Sequence, residues 1–160
     1  MESPLIRLAL SSDAPVLAEL CGQLGYPSSE DQVRARLGDI LTAGRPADGA
    51  LPEAVVFVAD VDGVVAAWVH VFRPRLLESD GEAEIGGLVV DERFRRCGLG
   101  RALMDRAEAW AAETGCRAVR LRSNVVREAA HAFYEVRGYE RVKSQHVFRR
   151  ALRGAESKPP

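Results

Sequence analysis

Glu84-Ile85-Gly86-Gly87-Leu88-Val89-Val90, followed shortly by Arg95-Arg96-Cys97-Gly98-Leu99-Gly100-Arg101, is an apolar strand that runs into a basic, glycine-punctuated turn opening a helix. The first amides of a helix have no partner inside it and point outward with the positive end of the macrodipole behind them, so such a turn suits a phosphate or pyrophosphate. Gly98 and Gly100 put no side chain between a ligand and those amides. Arg95, Arg96 and Arg101 add cations suited to phosphate oxygens.

Two common phosphate loops fail on spacing. The third glycine of a dinucleotide fingerprint is missing, and no Gly-Lys-Ser/Thr follows to make a nucleotide P-loop. What remains is Arg-x-x-Gly-x-Gly after a strand. On those residues alone, a helix N-terminus made basic for solubility is the competing reading, and the rest of the chain has to decide.

The 160 residues suit one domain able to bury roughly two-thirds of its unfolded surface without disulfide staples. We read that domain as residues 1–153, with 154–160 a loose tail. Lys and Arg number 22 against 23 Asp and Glu, which leaves no global field to attract nucleic acid or an anionic membrane. Cys21, Cys97 and Cys116 are scattered and form no C-x-x-C pair, so they read as reduced thiols. His70, His131 and His146 stand apart from one another and from any cysteine at metal spacing, and no metal is expected. Met1-Glu2-Ser3-Pro4 carries acid where a secretory leader needs base, and no apolar run approaches the ~20 residues of a bilayer span. A soluble, cytoplasmic protein is expected.

Along the chain, Leu5 to Leu10 reads as a strand. Ser11-Ser12-Asp13 with Pro15 behind it starts a helix to about Leu24, and Gly25-Tyr26-Pro27 breaks it. Ser28-Ser29-Glu30-Asp31 starts a second helix, whose Val33, Leu37, Ile40 and Leu41 recur at helical spacing through Gly44. Arg45 to Pro52 reads as a loop. Val55 to Ala59 and Val64 to Phe72 flank Asp62-Gly63, a hairpin signal because this dipeptide tolerates the positive φ of tight turns. After an acidic loop come the strand Glu82 to Val90, a helix from Gly98 to Glu113, a strand over Ala118 to Arg122 and a helix from Glu128 to Arg137. Tyr139 to Lys143 and His146 to Leu152 read as two last strands. The order β-α-α-β-β-β-α-β-α-β-β implies an α/β (α+β) fold: a mixed sheet of about seven strands with helices on both faces.

That order and the Arg-x-x-Gly-x-Gly turn resemble the GNAT superfamily of N-acyltransferases over nearly the whole chain, most strongly from Ala83 to Leu152. Ala130-His131-Ala132-Phe133-Tyr134-Glu135-Val136-Arg137-Gly138-Tyr139 matches the family's Ala-x-x-Phe/Leu-Tyr-x-x-x-Gly-Phe/Tyr block. The resemblance implies acetyl-CoA as cosubstrate, its diphosphate on Arg95, Arg96, Cys97, Gly98, Leu99, Gly100 and Arg101, and its pantetheine arm beside backbone groups of Leu88, Val89 and Val90. It also implies that the strand before the turn bulges. Gly86-Gly87 permits this, since glycines inside a strand mark a bulge or a close backbone approach, or else a poorly packed edge.

Acyl transfer to an amine needs a group to take the amine's proton, a carboxylate or a water chain. Glu84 resembles the glutamate that serves as base in some members, and Glu82 projects from the same strand face; both can equally cap a solvated face. Tyr134 is the candidate acid for the departing thiolate, with a buried hydrogen-bonding role as the alternative. Where many relatives carry asparagine before the helix this chain has Arg127, so Asn124 is the candidate for a pantetheine amide. The general plan resembles aminoglycoside 6′-acetyltransferases, and Leu121 to Leu152 resembles aminoalkylphosphonate acetyltransferases. A small primary amine is the expected acceptor, by direct attack in a ternary complex. A protein lysine or N-terminus, a non-catalytic acyl-CoA-binding domain, and a homodimer through the last strands stay open.

Overall fold

The structure is a computed structural model that describes residues 3–43, 49, 51–79 and 81–152. The expected tail at 154–160 and most of the loop after the second helix lie outside the described residues. The chain falls into two compact units, Met1–Arg122 and Ser123–Pro160.

The first unit holds β1 (Leu5–Leu8), α1 (Ala14–Leu24), α2 (Glu30–Ala43), β2 (Ala54–Val61), β3 (Val64–Phe72), β4 (Glu82–Val90), α3 (Leu99–Glu113) and β5 (Ala118–Leu121). The strands lie in sequence order in one sheet; β1 to β4 pair antiparallel, and β5 joins β4 in parallel. The β2–β3 hairpin turns at Asp62 (φ 52°) and Gly63 (φ 85°), the two positive values a tight right-twisting turn demands. Asp60 Oδ1 accepts from the Gly63 amide and closes the turn.

Side chains alternate between the sheet's two faces. Val56, Val58, Val65 and Val89 bury against Leu17 and Leu20 of α1 and Val33 and Leu37 of α2. Phe57 points the other way, to α3, whose Arg106 lies 4.6 Å from its ring centroid. Leu103, Met104, Ala107 and Trp110 form the buried stripe of α3 at three- and four-residue spacing.

Two helix starts show different uses of the same residue types. Ser29 and Gln32 form a reciprocal box at the head of α2: Ser29 Oγ accepts from the Gln32 amide and Gln32 Oε1 from the Ser29 amide. Asp13, expected to cap α1, instead accepts from the Leu10 amide at 2.8 Å and pairs with Arg7 at 2.8 Å. The interaction holds its carboxyl below the usual carboxylate range against the opposing cost of burial.

The second unit contains α4 (Glu128–Val136), ended by Gly138 at φ 89°. The sheet has five strands rather than about seven. Tyr139–Lys143 and His146–Leu152, read as the last two, form no ladder, and Val142, Val147, Phe148 and Leu152 are all exposed. Their apolar spacing fits a strand, but a strand exists only where a neighbour supplies the other half of the ladder, and among the described residues none does.

Candidate active site

β4 changes character halfway. Glu82 to Ile85 pairs with β5, from Glu82 opposite Ala118 to Ile85 opposite Leu121, and Glu84 and Ile85 are paired with β3 on the other side as well. There β5 ends. From Gly86 to Val90 the strand continues against β3 alone, so its outer edge has no strand partner among the described residues. The β3–β4 register slips at this point: His70 faces Gly87 and Val71 faces Ile85, leaving Gly86 as the extra residue of a bulge. The expected bulge is therefore present, and an open row of backbone donors and acceptors follows it.

That row leads into the basic turn. Asp91, almost fully buried, accepts from the Arg93 amide at 2.9 Å and from the Arg93 guanidinium at 2.7 Å. The Arg93 hydrogen bonds pull the Asp91 carboxyl down to about 2, against the cost of burial. Gln23, near the end of α1, accepts from the Glu92 amide at 3.0 Å and so ties α1 to the start of the turn. Arg96 (φ 65°) and Gly98 (φ 79°) take left-handed conformations that swing the chain into α3. The first helical bond runs from the Ala102 amide to the Gly98 carbonyl at 3.0 Å, so the amides of Leu99 and Gly100 stand before it, as a phosphate site needs. Arg95 and Arg101 make long, exposed ion pairs, with Glu92 at 3.5 Å and Asp105 at 4.0 Å. Such pairs hold their cations weakly enough for a phosphate to take them over. Cys97 is exposed, its thiol 3.7 Å from the Arg95 carbonyl.

The two carboxylates lie on one face at the closed half of β4. Glu84 is only 8 % exposed. Its Oε2 accepts from Arg120 at 3.0 Å and its Oε1 lies 3.5 Å from Arg122; Glu82 reaches the same Arg120 at 3.8 Å. Both oxygens of Glu84 are thus engaged by cations of β5 and its continuation. Sequence spacing gave the carboxylates but not Arg120 and Arg122, because register across two parallel strands has no local signature.

The glycines of β4 also make room for rings. A Cβ on Gly86 would stand 2.8 Å from His70 Nδ1, and one on Gly87 2.8 Å from the Trp68 indole. Burial lowers the affinity of His70 for a proton.

In the second unit, Tyr134 packs edge-on to Phe133 (5.2 Å) and Tyr139 (5.8 Å). Burial pushes its hydroxyl above the usual tyrosine range, opposed by Arg127, and so keeps it a proton donor at neutral pH. Asn124 Oδ1 accepts from the Val126 amide at 3.2 Å, forming its own turn before α4. Among the described residues no His, Cys, Asp and Glu group is arranged to hold a metal ion. No helix there is long and apolar enough to cross a membrane.

Residues 23–139 match the Acetyltransferase (GNAT) family. The chain belongs to that family. It is 28% identical over 156 residues to an aminoglycoside N(6′)-acetyltransferase type 1 of Stenotrophomonas maltophilia, covering 94% of this chain and 95% of the relative. Glucosamine-6-phosphate N-acetyltransferase from Arabidopsis thaliana has the same fold at 26% identity and TM-score 0.75, covering 92% of this chain and 99% of that one. The aminoglycoside enzyme AAC(6′)-Iy, solved with the bisubstrate analogue CoA-S-monomethyl-acetylneamine, superposes with TM-score 0.77 at 19% identity, covering 94% and 100%, a likeness of fold alone. As a GNAT member the chain is an N-acetyltransferase.

Proposed function

We propose that this enzyme transfers the acetyl group of acetyl-CoA directly to a primary amine of a small molecule in a ternary complex, residues 1–153 acting as one catalytic domain. The observation that carries the reading is the open edge of β4 from Gly86 to Val90, which runs without interruption into the amides and arginines of residues 95–101. An extended chain bearing amides at one end and a diphosphate at the other fits this edge as an added strand. Leu88, Val89 and Val90 would meet the pantetheine amides, and Arg95, Arg96, Gly98, Leu99, Gly100 and Arg101 the diphosphate, with Cys97 as filler. The family resemblance assigns Asn124 to a pantetheine amide.

The acetyl carbon then lies near the bulge, at the end of the strand face that carries Glu84 and Glu82. Glu84 and Glu82 are the carboxylates of that face, paired there with Arg120 and Arg122. The acceptor ammonium releases one proton to become the nucleophile; as its nitrogen bonds to the carbonyl carbon it gives up a second, and as the carbon–sulfur bond breaks Tyr134 protonates the thiolate. The likeness to aminoglycoside acetyltransferases makes polyamino sugars the first acceptors to try. We place the enzyme in the cytoplasm, working without a metal and without nucleic acid. The exposed apolar residues Val142, Val147, Phe148 and Leu152 favour a homodimer in which this segment meets a second copy.

The test is thiol release from acetyl-CoA across a panel of aminoglycosides, simple diamines and lysine peptides. Acceptor-dependent release with small amines is the expected result. Release with peptides alone would make it a protein acetyltransferase, and acetyl-CoA binding without turnover would make it an acyl-CoA-binding domain.

A further inference from the structure

His70 was set aside in the sequence as too isolated for a metal site, yet its surroundings suit another task. It stands on β3 directly opposite Gly87, with the bulge residue Gly86 beside its ring. Its Nε2 is buried and has no hydrogen-bond partner among the described residues. A buried polar atom left unpaired is costly and calls for an explanation. Other side-chain atoms in that state belong to Trp68, Trp110 and Arg73. Of these groups, only an imidazole can both take up and release a proton near neutral pH.

Glu84 is less suited to that step, because Arg120 and Arg122 already occupy both of its oxygens. Phe72 faces Glu84 across the strand pair and stacks on His70 at 5.3 Å between ring centroids, so imidazole and carboxylate share one sheet face at the point where β4 and β5 part. The bulge explains the glycine. A side chain at residue 86 would collide with His70 Nδ1.

We infer that His70 is the catalytic base, its imidazole accepting the proton of the attacking amine beside the bulge of β4, where Nδ1 faces Gly86. The inference rests on the acetyl-transfer reading above. The acceptor ammonium first releases a proton to solvent; the neutral amine nitrogen then forms its bond to the acetyl carbon and becomes strongly acidic; this second proton passes to the His70 imidazole; the carbon–sulfur bond breaks and the thiolate is protonated, leaving amide and free thiol. The imidazolium then returns its proton to solvent or to the donor that served the thiolate, so the enzyme ends as it began. Glu84 and Glu82, paired with Arg120 and Arg122, line the strand face rather than take that proton.

Burial is the cause of the lowered proton affinity of His70. The ionisable groups on the elements packed around it are Asp60 of β2, Glu82 and Glu84 of β4, Arg120 and Arg122 beyond them, Glu19 and Cys21 of α1, and Arg101, Asp105, Arg106, Glu108 and Glu113 of α3. None of these contributes to the shift. His70 is therefore neutral, and able to accept, across the physiological range.

The test compares the wild type with His70→Gln and His70→Ala, using acetyl-CoA and neamine, or whichever amine the panel shows to be acetylated. His70→Gln should lose about 100-fold or more in kcat, keep its acetyl-CoA affinity, and lose the acid limb expected of the wild-type kcat/KM profile below the ordinary histidine range. Added imidazole should restore part of the activity of His70→Ala. Turnover of His70→Gln within twofold of wild type, or an unchanged acid limb, would overturn the assignment. Should the variants not fold, the wild-type imidazole 15N signals decide: a His70 titration that matches the acid limb supports the role, and one that does not removes it. Wild-type protein that neither binds acetyl-CoA nor releases thiol would instead defeat the acetyl-transfer reading itself.

Discussion

The two halves of β4 differ in what borders them. Glu82 to Ile85 has β5 along it, with β3 opposite Glu84 and Ile85, and carries a carboxylate clamped by two guanidiniums. Gly86 to Val90 has β3 on one side and, among the described residues, no strand on the other. The change from glutamates to glycines and the ending of β5 at Leu121 fall at the same point. A strand edge is structural where a neighbour uses its backbone and becomes a binding surface where the neighbour stops.

The sharpest way to break this comparison is at the turn that the open half feeds. Arg95→Glu combined with Arg101→Glu replaces two exposed cations with anions, and acetyl-CoA affinity should fall ~100-fold, about 3 kcal/mol. The melting midpoint should stay near that of wild type, because both ion pairs are long and exposed. Calorimetric titration with acetyl-CoA reads this directly. Glu84→Gln in the closed half should leave that affinity unchanged.

Next in size is Gly87→Ala, which drives a Cβ to within 2.8 Å of the Trp68 ring. Overpacking of that kind costs about 1–3 kcal/mol, measurable as a lowered urea midpoint. Gly98→Ala meets no neighbouring atom but sits at φ 79°, so its cost should be about 1–2 kcal/mol and come from backbone strain alone. In the closed half, Arg120→Ala leaves the buried Glu84 with Arg122 as its remaining cation. About 1–2 kcal/mol of stability should be lost, and much of it regained in the double variant with Glu84→Gln.

Much of this was legible in the sequence. The turn at residues 95–101, the Asp62-Gly63 hairpin and the helix ends at Gly25, Gly115 and Gly138 are local signals, each set by the few residues that carry it. The bulge was legible too, though not its reason: the glycines open the backbone edge and also clear space for Trp68 and His70, one strand away. What escaped was non-local. Arg120 and Arg122 reach Glu84 through a parallel register, Gln23 meets the Glu92 amide across 69 residues of chain, and Asp13 turned from capping to pairing because Arg7 was within reach. The two missing strands fail for the same reason, since alternation specifies a face and not a partner.

The smallest expected effects are in pH. Asp91 titrates at about 2 in the folded chain against an ordinary 3.8. Its stabilising contribution is therefore fully present above pH 3.8 and lost as pH falls towards 2, and Asp91→Asn should flatten that part of the acid unfolding curve. His70 acts at higher pH. Its folded-state affinity for a proton lies below the ordinary 6.5, so the unfolded chain gains protons first and stability declines as pH drops below that value. His70→Gln should remove this decline.

Amide hydrogen exchange with and without acetyl-CoA tests the central claim most directly. Binding should slow exchange at amides within Leu88–Val90 and at Leu99 and Gly100 while leaving Glu82–Ile85 as it was. Equal protection of both halves of β4, or none at Leu99 and Gly100, would contradict the placement of the cosubstrate on the open edge and its turn.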